Sequence, residues 1–187
     1  MKMKKQYAFL NKIARREGIV LWGSTTLDEL PVSELLQRYD VSSSIYNRSI
    51  SGLTIAEAES CLDMCVYGLH PGKVVINLGE EDLKVTDNVE KLIEQYRWIL
   101  YKIHIAIPDC RIILTSVRGH GEAYDRFNEE LKRLAIEFGC TFYNIPEVSG
   151  DEEYGTAFLD AIKLSLYDDS LNYTDIAAKA VFSCMAH

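Results

Sequence analysis

Apolar positions along the chain cluster into five short runs: Ile19 to Trp22, Ser44 to Asn47, Lys73 to Leu78, Arg111 to Ser116 and Cys140 to Ile145. Each has the length of a buried strand. Between them the apolar residues recur at helical spacing. Thr54 can cap a helix running through Ala56, Ala58, Leu62 and Val66, and Pro71-Gly72 closes that connection before the third run. Thr86 or Asp87 opens the longest helix, with Leu92, Ile93, Tyr96, Ile99, Leu100 and Ile103 on one face and Pro108 beyond its end. A further helix runs from Glu122 to Phe138 and stops near Gly139, while the acidic stretch Glu147 to Glu153 reads as a solvated loop.

Strands alternating with longer amphipathic segments predict an α/β chain with a five-stranded parallel sheet covered on both faces. The result is a three-layer α/β/α sandwich of the doubly wound, flavodoxin-like type. Ligands of such sheets gather at the carboxyl ends of the strands, near the topological switch point. No internal repeat, low-complexity tract or linker interrupts the pattern, so residues 1–187 are expected to form one domain.

Charge narrows the set of partners. The chain has 28 acidic and 20 basic residues and a formal charge of -8, which disfavours nucleic acid and anionic membrane surfaces and leaves a small molecule as the expected partner. Lys2, Lys4 and Lys5 imitate the start of a signal peptide, but Asn11, Lys12, Arg15, Arg16 and Glu17 break the apolar segment it would need. Cys61, Cys65, Cys110, Cys140 and Cys184 are odd in number and sit in apolar surroundings, as buried reduced thiols do. A cytoplasmic location is the expectation. Cys61 and Cys65 lie one helical turn apart without a third soft ligand at useful spacing, so neither a metal nor a cofactor is expected.

Four segments carry chemistry: Ile19 to Leu27 with Gly23-Ser24-Thr25-Thr26, then Asn47-Arg48-Ser49-Ile50-Ser51-Gly52, then Val75 to Leu83 with Gly79-Glu80-Glu81-Asp82, and finally Asp169 to Ala180 with Asp169-Ser170-Leu171-Asn172. In order and spacing they resemble the four sequence blocks of the SGNH (GDSL-type) hydrolases, a family of esterases, lipases and acylhydrolases. The resemblance extends over nearly the whole chain. It implies that Thr25 stands at the nucleophile position in place of serine. Gly52 matches the glycine whose backbone N–H helps to hold the oxyanion, and Glu81 replaces the asparagine that supplies a second donor. Asp169 and Asn172 match the Asp-x-x-His dyad, with asparagine where the base belongs.

An amide cannot take a proton from a hydroxyl at neutral pH. A carboxylate about 4 Å from an oxyanion repels it by roughly 4 kcal/mol at an effective dielectric near 20, which corresponds to about a thousandfold in rate. The resemblance therefore implies an SGNH fold with an impaired catalytic set, and a pocket of Ser24, Thr25, Gly52, Glu81 and Asn172 suited to a polyol, a cation or an acyl compound. The alternative is an active ester or carbohydrate-ester hydrolase in which Ser24 or Thr25 attacks with Glu81 as base, its pKa raised by Glu80, Asp82 and Asp169. His120, after the fourth strand, is the one histidine placed to substitute as base. Two further readings stay open: a phosphate-cradling turn at Gly23 to Thr26, as in flavin-mononucleotide-binding proteins of this topology, and a protein-interaction scaffold.

Overall fold

The computed structural model describes residues 2–39, 41 and 43–167. Its strands are β1 (Ile19–Gly23), β2 (Ile45–Asn47), β3 (Lys73–Asn77), β4 (Arg111–Thr115) and β5 (Thr141–Tyr143). All pairings are parallel, in the order β2-β1-β3-β4-β5, which is the flavodoxin-like order. The last four predicted runs each contain their strand, shortened by one to three residues where the chain leaves the sheet, and β1 extends one residue past its run, to Gly23.

Period-two alternation sorts the strand side chains between two cores. Val20, Trp22, Val74, Ile76, Ile112 and Leu114 face one layer. That layer holds α4 (Ile55–Ala58), α5 (Leu62–Cys65), α7 (Val89–Ala106) and α8 (Glu122–Glu137), with Tyr7 of α1 (Lys2–Leu10) at its edge. Ile19, Leu21, Val75 and Ile113 face the opposite layer, made by α2 (Thr25–Asp28), α3 (Val32–Leu35) and α9 (Asp151–Leu166). The central strands β1 and β3 are buried along their whole length, which is why their sequences are continuous apolar runs rather than alternating ones.

Several helix boundaries differ from the sequence expectation. The Thr54 cap is present as a full capping box with Glu57, but the helix behind it breaks into single turns, α4 and α5, separated and followed by 3-10 turns at Glu59–Cys61 and Tyr67–Leu69. The longest helix starts at Val89: Asn88 is its cap, accepting from the Lys91 amide, while Thr86 accepts from the Asn88 amide one step earlier. Glu147 to Glu153 is not wholly a loop, since Asp151 begins α9. That helix forms because Tyr154, Phe158, Leu159, Ile162 and Leu166 line one face and all are buried against the sheet. α1 was likewise not anticipated from its charged start. No helix among the described residues is long and apolar enough to cross a membrane. Of the four described cysteines, Cys61 and Cys65 are buried and Cys110 and Cys140 half-buried.

One contact joins the two ends of this architecture. Lys73, at the start of β3, is buried, and its Nζ donates to the backbone oxygens of Ser165 and Tyr167 at 2.9 and 2.8 Å. These lie in the last turn and just beyond α9, where carbonyls have no partner within the helix. Lys73→Met should lower stability by about 2 kcal/mol, within the range for hydrogen bonds from a charged donor. A shift of the urea midpoint with an unchanged m-value is the expected reading.

Candidate functional site

Three loops meet at the carboxyl ends of β1, β2 and β3. After Gly23 the chain turns directly into α2, which makes Thr25 its first residue and leaves the Thr25 side chain half-buried at the mouth of the sheet. Gly23 sits so close to β3 that a Cβ added to it would lie 2.5 Å from the Asn77 backbone oxygen. Beyond β2, Asn47 steadies the second loop: its amide donates to the Leu27 carbonyl at 2.8 Å and its oxygen accepts from the Ser49 amide at 3.1 Å. Gly52 follows with φ +76, a left-handed conformation that presents its N–H to the cleft. Beyond β3, Gly79 has φ +120 and opens the one-turn helix α6 (Glu80–Leu83).

α6 carries three carboxylates in succession, and each is tied to a different residue. Glu80, buried, accepts the Thr26 amide at 2.9 Å. Glu81 accepts the Thr25 hydroxyl at 2.6 Å. Asp82, also buried, accepts the Ile55 amide with both oxygens, at 3.0 and 3.3 Å. The third loop therefore clamps the first two through its side chains. Burial pushes the Asp82 carboxyl above the ordinary value, an effect the Ile55 amide partly offsets.

Thr25 Oγ1 is the hub. Besides donating to Glu81 it accepts the Gly52 N–H at 2.8 Å and stands 3.4 Å from the Ser51 hydroxyl. Glu81 is in turn held by Lys84, whose Nζ donates to the same Oε1 at 2.8 Å. The Lys84 and Thr25 hydrogen bonds, in that order, pull the Glu81 carboxyl below the ordinary range despite its partial burial. The expected elevation by neighbouring carboxylates is absent, because a cation one helical turn away outweighs them. Glu81 thus points inward and also pairs with a cation.

Not every sequence candidate joins this cluster. Thr25, Gly52 and Glu81 come together through the Thr25 hydroxyl. Ser24 does not: its side chain is fully buried and its hydroxyl has no partner among the described residues, so it neither faces the cleft nor offers a nucleophile. Asp169 and Asn172 lie outside the described residues. His120 is exposed, and the hydrogen-bond neighbours of the Thr25 hydroxyl among the described residues are Glu81, Gly52 and Ser51. The turn at Gly23 to Thr26 is also a poor phosphate cradle, since its Thr26 amide and Thr25 hydroxyl are already engaged by carboxylates that would repel a phosphate. Among the described residues no group of three or more His, Cys, Asp or Glu side chains is arranged to hold a metal.

Lys84 was missed as a participant, and Glu80 and Asp82 were expected only as charges acting on Glu81, not as acceptors of the Thr26 and Ile55 amides. The i,i+3 and i,i+4 spacing of Lys84 from Glu81 and Glu80 was the available signal for the ion pair. Beside the cluster, with Thr26 as common wall, lies a cavity of about 470 Å³ between the α2–α3 segment, the end of β4 and the first turn of α9.

No protein-family model matches the sequence, and comparison with curated proteins gives no match. Solved structures do match. A protein from Streptococcus pneumonia described as a candidate platelet activating factor superposes with a TM-score of 0.75 at 19% identity, over 89% of this chain and 92% of that one. A GDSL-like lipase from Bacteroides thetaiotaomicron VPI-5482 gives 0.69 at 19% identity, over 87% and 96%. An acetylxylan esterase from Geobacillus stearothermophilus gives 0.61 at 16% identity, over 83% and 98%. With the parallel β2-β1-β3-β4-β5 sheet and the three loops at its carboxyl edge, these likenesses establish that the chain has the SGNH (GDSL-type) hydrolase fold.

Proposed function

We propose that the protein is a pseudoenzyme of this fold, one whose cleft binds a small molecule and does not turn over esters efficiently. The observation that carries the reading is the 2.6 Å hydrogen bond from Thr25 Oγ1 to Glu81 Oε1, in a carboxylate kept ionised by Lys84. Acyl transfer through Thr25 would develop negative charge beside that oxygen. The hole for such an intermediate needs donors; here Gly52 N–H supplies one and Glu81 supplies an acceptor. The repulsion reaches up to about 4 kcal/mol at a separation near 4 Å and an effective dielectric near 20, with Lys84 offsetting part of it.

The same hydrogen bond favours a second reading, in which Glu81 is the general base for Thr25, since a base must lie within hydrogen-bond reach of the proton it removes. Against it stands the direction of the Glu81 shift: a carboxylate held below its ordinary range is a weaker base than a free one. A single assay separates the two. Purified protein and its Thr25→Ala variant should hydrolyse 4-nitrophenyl acetate at the same rate. Turnover that is lost in both Thr25→Ala and Glu81→Gln would establish the hydrolase reading instead.

A further inference from the structure

The side of α7 that meets the sheet buries Leu92, Tyr96, Ile99 and Ile103. Its opposite side breaks the pattern of a surface helix, which turns polar residues toward solvent. Trp98, Tyr101 and Ile105 stand there at spacings of three and four residues, 52%, 46% and 61% exposed. The Trp98 and Tyr101 rings are stacked, with centroids 5.3 Å apart and planes 15° from parallel, so they present one continuous apolar surface. Beside Trp98 a groove of about 390 Å³ between α4 and α7 is lined by Ile55, Ala56 and Ile99. Exposed aromatic rings next to such a recess have the make-up of an interface centre.

Charge selects the occupant. Glu94 precedes Trp98 by four residues on this stripe and Lys102 follows it by four, so the apolar centre is flanked by opposite signs. Glu94 is exposed and holds no ion pair among the described residues. Lys102 pairs with Glu59 and lies over the Trp98 ring, its Nζ 5.7 Å from the centroid. An ammonium has three donors and can take a second carboxylate. A second copy laid antiparallel along the stripe brings Glu94 of each chain toward Lys102 of the other and sets the aromatic pairs against one another. A parallel copy would oppose Glu94 to Glu94 and Lys102 to Lys102. A two-fold contact must be complementary to itself, and only the antiparallel one meets that condition. We propose that the protein forms a symmetric dimer through the outward face of α7, with Trp98 and Tyr101 at its centre and Glu94 paired with Lys102 across it. α7 runs from the carboxyl end of β3 to the start of β4, so these residues, in its second half, lie toward the edge of the sheet remote from Thr25.

Sedimentation velocity on the full chain between about 1 and about 200 µM should show monomer passing into dimer, with a Kd on the order of 10 µM for a contact of modest area. Trp98 is its own reporter, because the other tryptophan, Trp22, is fully buried. Iodide should quench Trp98 in dilute solution and lose access to it as the dimer forms. Trp98→Glu should weaken the dimer by about thirtyfold or more, with its melting temperature in dilute solution reporting that it is folded. Leu164→Glu, at an exposed position of α9 in the opposite layer, should dimerise as the wild type does. Glu94→Gln tests direction: loss of the ion pair weakens an antiparallel dimer severalfold, whereas relief of repulsion would strengthen a parallel one. A chain that stays monomeric throughout, a dimer that survives Trp98→Glu, iodide quenching unchanged on dimerisation, or strengthening by Glu94→Gln overturns the proposal.

Discussion

Gly79→Ala should destabilise the protein by about 2–6 kcal/mol, the sum of two separate penalties. The backbone at Gly79 has φ +120 and ψ -15, a conformation that costs a residue with a side chain on the order of 1–3 kcal/mol. The added methyl would also stand 2.6 Å from Cε1 and Cζ of Phe127. That ring is fully buried and packed edge-on to Tyr96, with centroids 6.3 Å apart, so it can move only by disturbing the α7–α8 interface. Overpacking of this kind typically adds about 1–3 kcal/mol. Because Gly79 opens the turn that carries Glu80, Glu81 and Asp82, the loss should extend to the clamp on the other two loops. Chemical denaturation measures the first effect. Heteronuclear NMR shifts at Thr26 and Ile55, whose amides Glu80 and Asp82 accept, measure the second. Gly121→Ala is the matched control: its φ is +110, yet a Cβ there meets nothing within 4 Å, so it should cost only the backbone term.

The contrast between those two glycines illustrates what the sequence discloses. The strands were legible because β1, β3 and β4 are short apolar runs with no helical period, and the parallel pairing followed from alternation with helices. Thr54 and Gly139 marked a helix start and a helix end by ordinary cap chemistry. By contrast the apolar face of α9 was present in Tyr154, Phe158, Ile162 and Leu166 but was overlooked behind the acidic residues at its start. The fragmentation of α4 and α5 has no local signal comparable to a proline. It appears only in the packed structure, where Ile55, Ala58, Cys61, Leu62 and Cys65 must all reach the core within a short connection.

At the site the divide is between identity and direction. The family resemblance named Thr25, Gly52 and Glu81 for one site, and in the structure the Thr25 hydroxyl donates to Glu81 and accepts the Gly52 N–H. Which way a carboxylate points, and with what charge, depends on neighbours that spacing does not weigh. Glu80, Glu81 and Asp82 are adjacent in sequence, yet one binds an amide of the first loop, the next a hydroxyl, and the third an amide behind the second loop. Mutual repulsion was expected to raise Glu81. The lysine one turn on reverses the sign, because a hydrogen-bonded cation at 2.8 Å acts more strongly than carboxylates directed elsewhere.

Glu81→Asn should raise the affinity for a boronic acid by about a hundredfold or more. Phenylboronic acid forms a tetrahedral anion on an accessible hydroxyl and imitates the charge of an acyl-transfer intermediate without requiring a base to complete turnover. In the wild-type protein the adduct on Thr25 would place its oxygens beside the Glu81 carboxylate, already 2.6 Å from Oγ1. The full Coulomb term of about 4 kcal/mol at an effective dielectric near 20 corresponds to about a thousandfold, and partial neutralisation by Lys84 reduces it. Asparagine removes the charge, provides an N–H donor in the same direction and leaves the Lys84 ammonium unopposed by its former partner. Gly52 N–H is already aimed at the reacting oxygen and should serve both proteins equally. Calorimetric titration should therefore show weak or undetectable binding to wild type and clear binding to Glu81→Asn, lost again in the Thr25→Ala/Glu81→Asn double variant. Equal affinity in wild type and Glu81→Asn would mean that the carboxylate does not oppose charge at this position, and the electrostatic basis of the pseudoenzyme reading would fall with it.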